Sequence, residues 1–372
     1  MECSDCVTAC IVTDDALQNN EKIGMSGLSE RLSHISDKLE NWWNHGDQKN
    51  PCIIASVLKE NHEPIPDTDD LEKFWTDVDF VINRTIKTIE NTNYYGQAIP
   101  FHYVDFGASA MPCALGAKPE FVDKETVWAH PNRNSIEEIT DIALDEANFC
   151  YQTIIEITKK SAQLSTDHHF VAPFALGGIG DNLAGLYGTE NMLMDMKLQP
   201  TKVKQVMERF KNIWIEAFAK IQNIIQNGKN RGGIGWAGIW APGTTFPIQE
   251  DFSYMISPAM FKEFCLPHIL DMIDILDYPF YHLDGVGAIP HLYELLKIEK
   301  LKVIQWQPGS GKERLSPWYE LIRHIFSKGK SVQVYAQADE VDDLVGNVGA
   351  RGLLIVCPKI SNQEAEWLMK DA

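Results

Sequence analysis

Two side chains that commonly bind metals stand near the ends of apolar runs in this sequence, His282 and Cys357. An imidazole and a thiolate are familiar Zn²⁺ ligands, and Asp284 and Glu250 offer carboxylates to complete a shell. Three protein ligands leave an open position, which suits catalysis. Each residue alone has a plainer reading. A lone Cys in an apolar run behaves as a small hydrophobe, and a lone His is more often a satisfied hydrogen-bonder. Chemistry depends on shared placement, and placement depends on the elements that carry these residues.

From about residue 50, short β-rich runs alternate with longer helical patterns. The runs span 52–57, 100–106, 170–176, 234–240, 279–283, 301–306, 331–335 and 352–357. Several are almost continuously apolar, as strands buried on both faces are. Helical patterns cover 71–92, 135–161, 201–227 and 257–276. The last opens with Ser257-Pro258, a cap followed by a proline at the first helical position. Eight strands alternating with helices predict an α/β protein, a single (β/α)8 TIM barrel over residues 49–372. Residues 1–48 form an N-terminal extension, partly helical and disordered at its start.

Active sites of such barrels lie at the C-terminal ends of the strands. There the sequence puts Lys59 and Glu60, then Asp105, then Asp181 after a glycine loop. Strand four presents Trp240 and a long loop with Gln249, Glu250 and Asp251. The remaining ends carry His282 and Asp284, Gln305 and Gln307, Tyr335 and Gln337, and Cys357 and Lys359. His282 and Cys357 therefore converge on one mouth. The candidate metal ligands are His282, Cys357, Glu250 and Asp284. Asp284, Glu250 and Asp105 are the candidate catalytic acids. Gln305, Tyr335, Gln337 and Trp240 are the candidate substrate contacts.

The rest of the chain mostly excludes. Lys and Arg number 33 against 52 Asp and Glu, a net charge of −19, which argues against a general nucleic-acid or anionic-membrane binder. No stretch reaches the roughly 18 apolar residues of a membrane span. Glu2 and Asp5 stand where a secretory signal would be basic, and eight Cys are too sparse for a disulfide scaffold. The expectation is a cytoplasmic protein with reduced thiols. Cys3, Cys6 and Cys10 form a C-x2-C-x3-C cluster with no fourth ligand nearby. Gly177-Gly178-Ile179-Gly180 and Gly309-Ser310-Gly311-Lys312 lack the spacing of nucleotide loops and read as tight βα turns. His168-His169 precedes strand three and belongs to the opposite, stability face.

Phe280-Tyr281-His282-Leu283-Asp284-Gly285, with Ile304-Gln305-Trp306 and Val356-Cys357-Pro358, resembles the uroporphyrinogen decarboxylase superfamily. So do Asp251-Phe252-Ser253, Ile256-Ser257-Pro258 and the segment from Phe261 to Pro267, which look like a helix of that family. Gly177-Gly178 and Gly188-Thr189-Glu190 are similar too. The resemblance covers about residues 30–370 and is most specific over 250–285.

That resemblance implies one of two activities. One branch decarboxylates uroporphyrinogen without a cofactor. The other comprises zinc-dependent methyltransferases that move methyl groups to or from a corrinoid protein. The decarboxylase branch holds its polycarboxylate substrate with an arginine-bearing segment after the first strand. Here no Arg lies between Arg31 and Arg84, and 51–61 offers only Lys59, so bidentate partners for the carboxylates are missing. Asp105 matches that branch's pyrrole-binding Asp.

The methyltransferase branch carries His-x-Cys and a distant Cys as zinc ligands. Here the first half reads His282-Leu283-Asp284, and Cys357 matches the distant Cys. Asp in place of Cys makes a harder Lewis acid, better suited to an ether oxygen than to a thiol. The expectation is a zinc-dependent methyltransferase moving a methyl group from a small methylated donor, an O-methyl compound, to a corrinoid (cobalamin) on a separate protein. No corrinoid-binding Asp-x-His-x-x-Gly motif occurs in the chain. The alternatives are a cofactor-free decarboxylase and a non-catalytic barrel that serves as a binding protein.

Overall fold

The computed structural model describes residues 27–226, 232–312 and 314–370. The Cys3, Cys6 and Cys10 cluster lies outside the described residues. Thirteen strands occur in the described chain. They are β1 (Cys52–Leu58), β2 (Thr92–Gly96), β3 (Phe101–Tyr103), β4 (Lys118–Phe121), β5 (Val127–His130), β6 (Phe170–Ala172) and β7 (Gly233–Ile234). After these come β8 (Trp240–Ala241), β9 (Thr245–Ile248), β10 (Tyr278–Asp284), β11 (Val303–Gln307), β12 (Ser331–Tyr335) and β13 (Leu353–Val356). Seven make one sheet in the order β2-β1-β13-β12-β11-β10-β9, parallel except for β2. β3 and β6 form a separate parallel pair. Helices pack outside, and the result is a mixed α/β, barrel-like fold.

The hydrogen-bonded ladder does not close among the described residues, and strand four is the reason on one side. The sequence places that strand at 234–240. The run turns instead: Gly238 adopts φ +71° and its N–H donates to Gly235 O at 3.0 Å. Ile234 then pairs antiparallel with Trp240. The strand that pairs with β10 is β9, whose flanking Gly and Pro make it read as loop. Pro247 within β9 lacks an N–H, and prolines in sheets are confined to edges. A Cβ on Gly235 would lie 2.3 Å from Pro247 Cδ. The β7–β8 hairpin thus packs against the edge of β9 instead of extending the ladder.

Strand alternation sorts side chains into two cores. Leu353, Ile355 and Cys357 face the helices, while Leu354 and Val356 pack inside with Cys52, Ile54, Phe280 and Val303. The end where the strands begin is closed by α1 (Leu28–Trp43). Its Ile35, Leu39, Trp42 and Trp43 are spaced as one helical stripe and are buried. Trp42 and Trp43, 0% and 1% exposed, donate their indole N–H groups to Gly352 O at 3.0 Å and Trp240 O at 2.9 Å.

On the outer face, His102 of β3 and His169 are joined through Ser161 Oγ at 2.8 and 3.1 Å. Ser161 belongs to the helix Phe149–Ser165, which Asn148 starts by accepting from Tyr151 N–H at 2.9 Å. The sequence begins that helix at 135, where a short 3-10 turn, Ile136–Ile139, stands alone. No helix among the described residues is long and apolar enough to cross a membrane.

Candidate metal centre

β10, β11 and β12 bring His282, Gln305 and Gln333 into one register. His282 Nδ1–H donates to Gln305 Oε1, and the Gln305 amide donates to Gln333 Oε1. Gln305 Nε2 also reaches the Tyr335 hydroxyl at 3.5 Å. The Trp236 ring stands edge-on to the imidazole, centroids 5.1 Å apart at 82°. Burial lowers the His282 pKa, opposed by the Gln305 hydrogen bond and the charge of Asp284. A neutral imidazole with Nδ1 committed presents the Nε2 lone pair, the form that binds metals.

Asp284 lies two residues along β10 and shares the His282 face. Asp251 arrives from the loop after β9. One ligand atom from each of Asp251, His282 and Asp284 lies within 4.8 Å of the others. Gln249 Nε2 donates to Asp251 Oδ2 at 2.8 Å. Burial, then the charges of Asp181 and Asp284, push the Asp251 carboxyl up to about 8.

Asp181 fixes the loop that delivers Asp251. It sits in the first turn of the helix Ile179–Tyr187 and accepts from three backbone N–H groups: Gly178 at 3.0 Å, Asp251 at 3.1 Å and Phe252 at 2.6 Å. Next to it, Gly180 N–H donates to Glu250 Oε1 at 2.8 Å, and a Cβ on Gly180 would lie 2.2 Å from that oxygen. This glycine turn therefore serves close approach to the β9 loop. Glu250 is 2% exposed, and its Oε2 has no hydrogen-bond partner. Burial, then Asp181, raise its carboxyl well above the usual range.

The other residues singled out from the sequence lie in different settings. Asp105 is half-buried and accepts from Gly107 N–H at 2.8 Å; burial raises its pKa against the nearby Arg84. Gln337 is exposed and starts the turn Ala338–Glu340, its N–H donating to Glu340 Oε2 at 3.2 Å. Trp240 is not at the mouth. It packs with Trp43 at the closed end, because the 234–240 run folds back as a hairpin. Cys357 is not part of the His282 group. Alternation turns it toward the helices, where it is 2% exposed and burial pushes its thiol up to about 12.

The mouth also holds residues absent from the candidate set. Gln333 was legible: Ser331-Val332-Gln333-Val334-Tyr335 alternates polar with apolar, so Gln333 shares the Tyr335 face. Asp251 was visible at the end of strand four and in the Asp251-Phe252-Ser253 block, but not as a ligand. Trp236 sits in a turn and stood out only as one of an aromatic group, Phe101, Tyr103, Trp236 and Trp240, that reads as core or pocket wall. A second group, Glu208, His268 and Asp271, lies on outer helices. There the Lys211 ammonium already pairs with Glu208 at 2.7 Å and Asp271 at 2.9 Å, so the charge is balanced without a metal.

No protein-family model matches the sequence, and no curated protein does. The fold is similar to that of a methyltransferase from Methanosarcina mazei. The likeness has a TM-score of 0.59 at 12% identity and covers 93% of this chain and 98% of that one. A B12-independent methionine synthase from Shewanella sp. W3-18-1 overlaps only partially, over 66% of each chain at 13% identity and TM-score 0.35. At these identities the likeness is one of fold.

Proposed function

We propose that the protein is a zinc-dependent methyltransferase that takes a methyl group from a small O-methyl compound and delivers it to a corrinoid on a partner protein. The observation that carries this reading is the convergence of Asp251, His282 and Asp284 at the strand C-termini. The fold shared with a methyltransferase supports it.

The residues fit a metal. An imidazole and two carboxylates converge, Nδ1 of that imidazole is held by Gln305, and three such ligands would leave a further coordination position for substrate. His282 Nε2 and one oxygen each of Asp251 and Asp284 would hold Zn²⁺. When bound, Zn²⁺ supplies Lewis acidity toward the donor's ether oxygen, and an oxygen-rich shell makes that acid harder.

The chain's own groups do the rest. Burial, then the charges of Asp181 and Asp251, hold the Glu250 carboxyl well above its usual range, which favours its protonated form. It is the group placed to hold a proton for the departing oxygen. Tyr335 and Trp236, both half-buried, line the approach to His282. Asp181 orients the Asp251 loop through its three amide contacts.

The test is metal content of the purified protein beside His282→Ala, Asp251→Asn and Cys357→Ala. About one zinc per chain is expected in wild type, lost in His282→Ala, reduced in Asp251→Asn and retained in Cys357→Ala. Methyl transfer from aryl methyl ethers to cob(I)alamin is the activity to assay next. A metal-free wild type indifferent to chelators would sink this reading and leave acid-assisted decarboxylation at Asp105 as the alternative.

A further inference from the structure

The hydrogen bonds behind His282 run in one direction across three strands. Gln305 and Gln333 are both 0% exposed, so water does not replace a lost partner. The parallel register fixes all three backbones, so the side chains cannot slide apart. A primary amide can face either way. With Oε1 toward the ring, Gln305 accepts from Nδ1–H. Turned over, it would donate to Nδ1, and the proton would sit on Nε2.

Gln333 is tied to this choice. Its Oε1 accepts from the Gln305 amide, so turning Gln305 alone would set two acceptor oxygens against each other. Turning Gln333 alone would set two donors together. The chain therefore changes direction only as a unit, and aligned amide dipoles reinforce one another. It ends on Gln333 Nε2, which has no partner. Asp251 and Asp284 converge on the same imidazole and would draw its proton toward themselves. The amide chain opposes that pull.

We propose that Gln305, held by Gln333, is a positioning residue that locks His282 in the Nδ1–H tautomer and so keeps Nε2 free for a cation. This inference rests on the metal reading above for its purpose, but not for its test.

The experiment is ¹⁵N NMR of histidine-labelled, metal-free protein, with His282→Ala assigning the signal, alongside Zn²⁺ competition with a chelator. Wild type should show the Nδ1–H tautomer. Gln305→Leu should shift it to Nε2–H, and Gln333→Leu should give a mixture. Both should bind Zn²⁺ about 10–100-fold more weakly, the usual effect of losing a group that orients a ligand. Gln305→Glu keeps an acceptor for Nδ1–H and should keep the tautomer. An Nε2–H tautomer in wild type overturns the proposal, as does unchanged Zn²⁺ affinity in a zinc-binding protein carrying Gln333→Leu. That variant leaves His282 and Gln305 in place, so it carries the test if Gln305→Leu fails to fold. Nδ1–H in wild type with no Zn²⁺ binding would uphold the lock while the metal reading falls.

Discussion

At the closed end of the sheet, the indoles of Trp42 and Trp43 each donate to a carbonyl, and Ser331 Oγ donates to Trp42 O at 2.5 Å. At the mouth, Trp236 Nε1, Glu250 Oε2, Ser253 Oγ and Gln333 Nε2 have no partners. The same strands supply both ends. β12 gives Ser331 to the closed end and Gln333 and Tyr335 toward the mouth. β10 gives Phe280 and then His282 and Asp284. A buried polar atom without a partner costs about 1–3 kcal/mol. Gln48 Oε1 at the closed end and the Trp306 and Trp318 indoles are also unpartnered, so the contrast is one of density: most polar groups of the closed end are satisfied, while four unpartnered atoms gather around the mouth. Strain of this kind concentrates at functional sites and is offset elsewhere.

The sharpest way to break this comparison is at the closed end. Trp43→Ala removes a buried indole that packs edge-on against Trp42, Tyr278 and Phe280. A loss of about 3–5 kcal/mol is expected, as for other large-to-small changes in packed cores. Urea unfolding measures it. Zn²⁺ uptake by the folded protein should be unaffected, since α1 lies at the opposite end from His282. A loss under about 1 kcal/mol would mean that the closed end does not supply the stability assigned to it.

Two histidines sharpen the contrast. His282 is bonded through Nδ1 to Gln305 and is the proposed ligand, whereas His102 and His169 close on Ser161 and on His168. Burial lowers their pKa values to about 3 and about 4, from the usual 6.5. Both are neutral in the folded protein and take up protons on unfolding below 6.5. Their contribution is therefore complete above pH 6.5 and is lost as pH falls toward 4. Between pH 7.5 and pH 5, stability should drop on the order of 2–4 kcal/mol. His102→Gln should flatten that profile. A urea midpoint that stays level over this range in wild type would contradict the burial of this pair.

The sequence made the scaffold legible where periodicity was long and unbroken. The helix Pro200–Gln226 and strands β10, β11, β12 and β13 fall within a few residues of their expected places. It failed where glycine and proline carry two meanings. The 234–240 run has the apolar content of a strand, but its glycines allow a turn. β9 contains Pro247 and reads as loop, yet an edge position tolerates it. The proposed metal ligands were half legible. His282 and Asp284 stand out because they share a strand face. Asp251 depends on a loop held by Asp181 from another helix, a contact no local pattern encodes. Cys357 was misplaced by one position: Val356 takes the inner face and Cys357 the outer.

The mildest test lies at Glu250. Its Oε1 accepts from Gly180 N–H, its Oε2 has no partner, and Asp181 and Asp251 stand close enough to raise its pKa. Glu250→Gln keeps the acceptor oxygen and replaces the unpartnered one with an amide that can donate to either carboxylate. Stability at pH 7.5 should stay level or rise by up to about 1 kcal/mol, read as a shift in the urea midpoint, while methyl transfer falls. Loss of function without loss of stability is what separates the mouth from the closed end. If Glu250→Gln instead destabilised by more than about 1 kcal/mol, the buried carboxyl would be serving the fold, and the two ends would no longer differ in kind.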